Sequence, residues 1–229
     1  MTAPDRTGGK DRTAGGAARA SGTTRYVYGI VPEDVELDPD ARGVGDPPRR
    51  IDIVRHGEIA ALVSEVDAEE PPGEARDLEA HRDLLDATAA EVPVLPVQFG
   101  MVVADREELV GQLLSPHHDE FAAALRELDG KAEYVVEGRY GEQPPAESGG
   151  TVADTITRAI GRYCSATHVR DDPGAGDAVE VAVLMETARQ DDLERDVGEL
   201  AGRWDDRVDL RVLGPLAAYD FVTALTPAD

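Results

Sequence analysis

Apolar positions recur along the chain at two spacings, and where the spacing changes the element changes. Arg25–Val31 (RYVYGIV) alternates as a strand does, with Tyr26, Tyr28 and Ile30 on one face and Val27 on the other, and Pro32 ends it. Ile51–Arg55 and Ile59–Val66 read as a hairpin about the short turn His56-Gly57-Glu58, after a long acidic loop over 33–49. Leu78, His81, Leu84, Leu85 and Thr88 fall on one stripe, which predicts a helix over Leu78–Ala90 capped by Asp77. Glu91–Val103 (EVPVLPVQFGMVV) is then almost continuously apolar, as expected of a strand covered on both faces that forms the spine of its domain. Pro93, Pro96 and Gly100 predict that this strand is interrupted, bulged or at a sheet edge.

Helical spacing returns over Asp105–Leu128, broken at Ser115-Pro116, with Pro116 suited to the first position of a second helix that stops at Gly130. Ala132–Val136 reads as a strand and Gly138–Gly150 as a linker-like stretch. Thr151–Thr167 reads as a helix carrying Val152, Ile156, Ile160 and Tyr163, followed by a polar loop over His168–Asp177. Ala178–Met185 predicts a strand and Gln190–Trp204 a helix. Val208–Leu213 and Ala217–Leu225 predict two last strands parted by Gly214-Pro215. The order is βββαβα and then βαβαββ. This predicts the α+β class with two α+β domains, at 25–130 and 131–229, behind a disordered tail at 1–24. The C-terminal domain, with the linker-like stretch 138–150, has the element content of a ferredoxin-like sandwich with one element out of its usual order.

Charge narrows the setting more than size does. The 229 residues carry 47 Asp and Glu against 23 Lys and Arg, a formal net charge of −24, and Lys10 and Lys131 are the sole lysines. Such a surface repels nucleic acid and anionic membrane, so neither is expected as a partner. The acidic residues are spread along the whole chain, which fits a surface adapted to high salt better than a site for a basic partner. The single Cys164 excludes an internal disulfide framework. With no apolar centre in the first residues and no run of about 20 apolar residues, the expectation is a soluble cytoplasmic protein.

Candidate chemistry is sparse. Neither a Gly-rich phosphate loop nor a dinucleotide fingerprint is present, and none of the serines sits in a nucleophile elbow. His117-His118-Asp119 is the best metal candidate. Adjacent helical residues point about 100° apart, so the pair reads as an exposed helix start and no metal site is assigned. Glu107-Glu108 and Asp191-Asp192 lie in helix first turns, where the dipole keeps carboxylates ionised rather than raising them for acid–base work. His56 reads as a turn residue, His81 as a buried structural histidine, Trp204 as core and Cys164 as a small buried hydrophobe within a helix. No catalytic residue and no cofactor is assigned; the residues read as a non-enzymatic module.

Several stretches together resemble one family, the gas vesicle accessory proteins GvpF and GvpL. Tyr26-Val27-Tyr28-Gly29-Ile30-Val31 resembles the family's opening strand and Ile59-Ala60-Ala61-Leu62-Val63-Ser64 its third, with His81 in the helix after it. Val94-Leu95-Pro96-Val97-Gln98-Phe99-Gly100 is similar to the central signature, with Gln98 where the family usually has Arg or Lys. Leu125–Val136 resembles the helix, Gly and Glu-centred strand that follow. Gly214–Val222 is similar to the closing motif, with Leu216, Ala217 and Ala218 where a Trp and two prolines usually stand. The resemblance covers Arg25 to Leu225. It implies a two-domain α+β protein, a minor component or assembly factor of the gas vesicle, cytoplasmic during assembly, and a haloarchaeal source. It implies the hydrophobic shell protein GvpA and other accessory Gvp proteins as partners, with no cofactor, and it suggests Phe99, Gly100, Tyr219 and Phe221 as partner-binding residues. The competing reading is a small-ligand-binding or enzymatic ferredoxin-like module, which a cavity with convergent polar groups around His81 and Tyr28 would favour.

Overall fold

The computed structural model describes residues 22–141, 149–170, 178–204 and 207–222. Three strands, β1 (Thr23–Pro32), β2 (Asp52–His56) and β3 (Ile59–Asp67), precede helix α1 (Ala75–Ala89). Two short strands, β4 (Leu95–Pro96) and β5 (Val102–Val103), lead to α2 (Arg106–Glu108), a π-helical stretch Leu109–Leu114, and α3 (His118–Leu128). The first sheet runs β2-β3-β1-β4, and β5 also pairs with β1. Its two faces are covered separately. Tyr26, Tyr28, Leu62 and Val94 pack with Leu84 and Leu85 of α1, while Val27, Ile30, Ala61 and Val63 pack with Leu109, Phe121 and Leu125.

The rest is built as β6 (Lys131–Tyr140), α4 (Gly149–Ile160), β7 (Cys164–Val169), β8 (Ala178–Glu186), α5 (Gln190–Trp204) and β9 (Val208–Leu216). The sheet order is β7-β8-β6-β9, every pair antiparallel. This is the β-α-β-β-α-β order of a ferredoxin-like fold. Tyr134, Val136, Val181 and Val183 meet Ile156, Leu193, Val197 and Trp204 of the two helices in one core. From the opposite face Leu184 reaches into the cluster formed by Phe121, Leu125 and Leu128, so the two sheets share apolar packing. Burying one such leucine contributes about 1.5–3 kcal/mol.

Several expectations are corrected. The helix expected over Thr151–Thr167 ends at Ile160, passes through a 3-10 turn, Gly161–Tyr163, and becomes edge strand β7. This missing strand restores the usual ferredoxin-like order, so no element stands out of place. The strand expected over Ala217–Leu225 does not form among the described residues. β9 continues through Gly214 and Pro215, and Ala217–Val222 then turns, with Tyr219 N–H bonded to the Ala217 carbonyl and Val222 N–H to that of Ala218. Of the linker-like stretch, Gly138–Tyr140 belong to β6 and Gly149–Gly150 to α4, and 142–148 lie outside the described residues. The 1–24 tail lies outside them as well up to residue 21, and Thr23 and Thr24 already pair with β3.

The spine expected at Glu91–Val103 is an edge made of two short pieces, as its prolines and glycine require. α1 begins one turn earlier than expected: Glu74 is the N-cap, and Asp77 is the third helical residue, whose carboxylate accepts from the Glu74 N–H at 3.0 Å. Pro116 lies in the turn two residues ahead of α3, not at its first position. Tyr26, Tyr28 and Ile30 do not share a face. A bulge in β1 between Val27 and Gly29 sends Ile30 to the side of Val27.

Gly29 stands at that bulge because nothing larger fits. A Cβ there would lie 2.9 Å from Leu85 Cδ2 of α1 and 2.9 Å from the Leu95 carbonyl oxygen of β4. Gly29→Ala is therefore expected to destabilise the fold by about 1–3 kcal/mol, the usual penalty for overpacking. Urea unfolding monitored by circular dichroism checks it, and an unchanged midpoint would sink the close-approach account.

Candidate functional site

The residues singled out along the sequence fall into two neighbouring places. The first is an aromatic and polar cluster under α1. The Tyr26 hydroxyl donates to His81 Nδ1 at 2.9 Å and accepts from the Gly100 N–H at 3.2 Å. The other ring nitrogen of His81 donates to the Val97 carbonyl. Tyr28 donates to Ser64 Oγ at 2.9 Å and accepts from the Val44 N–H at 3.0 Å, and the Ser64 hydroxyl in turn donates to the Arg50 carbonyl at 2.8 Å. The His81 ring stacks on Tyr28 at 5.6 Å, and Phe99 meets both His81 and Tyr26 edge-on. Burial pushes His81 down to about 4, against the pull of the Val97 carbonyl, so the ring is neutral at pH 7. Each hydroxyl and each ring nitrogen here has a partner within the protein.

Asp77 closes the upper end of this cluster. Its carboxylate accepts backbone N–H groups from Gly45, Gly73 and Glu74 at 2.9–3.0 Å. Burial raises its pKa, but the three donors outweigh burial and hold the carboxyl below its usual range.

The second place is the closing segment Ala217–Val222, which lies between the two sheets. Its Ala217 N–H donates to Asp86 Oδ1 on α1 at 2.9 Å, and its Asp220 N–H donates to Glu133 Oε2 on β6 at 2.9 Å. Arg170, just past β7, fans its guanidinium over three carboxylates: Asp220 at 2.8 Å, Glu180 at 2.9 Å and Glu133 at 3.0 Å. Glu133 is fully buried. Burial pushes its carboxyl up to about 8, with the Asp220 carboxylate adding to the rise and Arg170 opposing it. Burial likewise raises Asp86, which the Tyr219 hydroxyl adjoins. Ala218, Phe221 and Val222 of the segment join the apolar cluster shared by the two sheets, and Ala217 and Tyr219 join the cluster under α1.

The structure brings Phe99 and Tyr219 together. They line one shallow groove with His81, Leu78, Arg82, Gln98 and Val222. Gly100 adjoins it at φ +90°, its N–H held by Tyr26. Phe221 is packed against the shared cluster instead of the groove. His56 and His118 face each other across 5.8 Å, His117 stacks on Phe121, and no group of three or more His, Cys, Asp or Glu able to hold a metal ion occurs among the described residues. Cys164 opens β7 half-buried, outside any helix, and burial pushes its thiol up to about 11. No helix among the described residues is long and apolar enough to cross a membrane.

Glu133, Arg170, Asp220 and Asp86 were not foreseen. Glu133 did leave a signal, a lone acid inside the apolar run AEYVV. Arg170 left none, since it sits in a stretch that reads as polar loop.

The gas vesicle synthesis protein GvpL/GvpF family model matches residues 24–148 and 138–223. Gas vesicle protein F of Streptomyces sp. (strain CB03234) is 28% identical over 86% of this chain and 98% of its own length. Gas vesicle protein F of Haloferax mediterranei is 26% identical over 89% of this chain and 95% of its own. The crystal structure of the gas vesicle protein GvpF from Anabaena sp. PCC7120 superposes with a TM-score of 0.76 over 90% of this chain and 99% of that chain, at 18% identity, which establishes a common fold.

The Glu133 cluster makes stability depend on pH in a stated direction. Its folded value of about 8 lies above the ordinary carboxyl value of about 4.3 in an unfolded chain. The native state therefore holds a proton that the unfolded state lacks, a stabilisation complete at low pH and lost as pH rises towards 8. His81 titrates below its unfolded value of about 6.5, so it does not disturb the window above it. Between pH 6.5 and 9 the thermal midpoint is expected to fall by roughly 3–6 °C, and Glu133→Gln is expected to flatten that slope. Parallel slopes for the two proteins in differential scanning calorimetry would remove Glu133 as the cause.

Proposed function

This chain belongs to the gas vesicle synthesis protein GvpL/GvpF family, and we propose that it is a non-enzymatic assembly factor and minor component of the gas vesicle that binds the hydrophobic shell protein GvpA. By covering the apolar surface of a free shell subunit it limits premature aggregation until the subunit joins the growing wall, working in the cytoplasm and with other accessory Gvp proteins. The relatives it resembles carry the names of gas vesicle proteins, and a role connected with the gas vesicle follows from the membership itself.

The observation that favours this reading over a ligand-binding or enzymatic module is the state of the His81 cluster. A catalytic or ligand site needs polar groups that converge on open space. Here the hydroxyls of Tyr26, Tyr28 and Ser64 are buried and bonded within the protein, and of these four polar residues only His81, its Nδ1 held by Tyr26, borders the shallow groove. A highly charged exterior around a filled interior suits a protein that must stay dissolved while holding an apolar client. Phe99, Gly100 and Tyr219 enter this reading at the groove beside α1, where the partly buried rings of Phe99 and Tyr219 present an edge to the partner, and Phe221 enters it as the packing behind the closing segment.

Co-purification of GvpA with the tagged full chain in molar salt tests the proposal, and retention of GvpA is expected. Phe99→Ala separates the two roles of that ring. A variant that keeps its circular dichroism and loses GvpA makes Phe99 an interface residue, whereas one that melts about 10 °C lower yet retains GvpA makes it packing. A folded wild-type chain that leaves GvpA behind sinks the assembly-factor reading.

A further inference from the structure

A hollow of about 510 Å³ opens at the end of the first sheet, away from the Phe99 groove. Four segments meet there: the turn after β1 with Pro32 and Asp34, the β2–β3 turn with Glu58, the residues Glu91–Pro93 after α1, and α3 with Ala122, Leu125 and Asp129. Through Glu91 and Val92 it shares a wall with a smaller hollow of about 120 Å³ that Val35, Leu37 and Leu84 line. The floor of the combined groove is apolar, formed by Val92, Pro93, Ala122 and Leu125 and continued by Val35 and Leu37.

Its rim is acidic beyond what the chain as a whole would supply. Asp34, Glu58, Glu91, Asp129, Glu36 and Asp38 line the two hollows, six carboxylates all exposed, against one cation, Arg126. Arg126 is itself bridged to Glu58 at 3.5 Å. Over the whole chain the ratio is 47 to 23, so a uniformly acidic surface predicts about three cations where the rim has one. A groove whose apolar lining is bordered by carboxylates is complementary to a segment whose apolar stripe is flanked by Lys or Arg. Nucleic acid and anionic lipid would be repelled from the same surface.

We propose that this groove seats a cationic amphipathic protein segment. Under the assembly reading, on which the choice of partner rests, that segment belongs to the shell subunit. The apolar floor covers the stripe, and the rim pairs at contact with the flanking cations, adding to affinity and setting which way round the segment lies.

Two probes separate the groove from the partner. The first is a fluorescent synthetic helix of Leu and Lys, titrated by anisotropy against the full chain in molar salt. The second is GvpA, co-purified with the tagged full chain. The rim variant Glu91→Arg/Asp129→Arg is compared with Asp209→Arg/Glu199→Arg, which changes net charge equally at exposed positions elsewhere, each checked for unchanged circular dichroism. The rim variant is expected to weaken both probes at least about tenfold, and the control to stay within about twofold of the wild type. Equal binding of the peptide by the rim variant and the wild type overturns the groove. Equal loss in rim variant and control overturns it too, because the attraction is then that of net charge. If the peptide binds through the rim and GvpA is not retained, the groove stands and the assembly reading falls. GvpA held alike by wild type and rim variant leaves the assembly reading and overturns the groove as its site.

Discussion

One guanidinium fixes the closing segment against the second sheet, and the segment in turn reaches α1. Arg170 gathers Glu133 from β6, Glu180 from β8 and Asp220 from the closing segment, and the segment's own N–H groups reach Glu133 on one side and Asp86 of α1 on the other. A buried carboxylate is costly unless it is paired or protonated. With three carboxylates and a single cation, pairing alone cannot neutralise the set; burial favours a proton on Glu133, the fully buried member, and the charge that remains lies on Glu180 and Asp220, which keep partial access to water. The closing segment is therefore fixed by charge and proton count as much as by the apolar contacts of Ala218 and Phe221.

The elements that follow from a local pattern were legible, and those that follow from distant partners were not. β1, β3 and β8 are apolar-rich runs and α5 has helical spacing, and the structure has these elements close to where the sequence puts them, although a bulge breaks the alternation of β1. β7 was hidden because Ile156, Ile160 and Tyr163 set up a helical stripe that Cys164 and Thr167 prolong. Gly161 and the β-branched Thr167 and Val169 were the only hints that the helix stops and an edge strand begins. Ala217–Val222 is apolar enough to read as a strand, yet two of its backbone donors go to carboxylates 131 and 87 residues away in the chain and others turn back on the segment itself. No window of neighbouring residues contains that information.

The same division applies to the candidate site. His81, Tyr28 and Phe99 stood out because a histidine on an apolar stripe and an aromatic beside glycine are uncommon locally, and the structure joins them. What the structure shows them doing together is holding backbone. Tyr26 holds the Gly100 N–H, and Gly100 at φ +90° turns the edge between β4 and β5, so the cluster determines where the broken edge strand lies against β1. A residue that stands out in sequence was here a residue that shapes backbone.

The high negative charge acquires a different meaning once its distribution is known. In about 1 M salt the screening length falls to roughly 3 Å, so acidic residues scattered over the surface exert little force on a molecule that is not touching them. Apolar association is not weakened in that way, and excluded salts can strengthen it. A carboxylate rim around an apolar floor then acts only at contact distance, after the floor has engaged. Under such conditions the rim discriminates between bound orientations and adds little to long-range attraction, while the remaining acids keep the complex hydrated. On the proposed reading, a protein that holds a hydrophobic subunit without itself collapsing onto others gains from that separation: an apolar trough that covers the partner, and charges that are silent until the partner arrives.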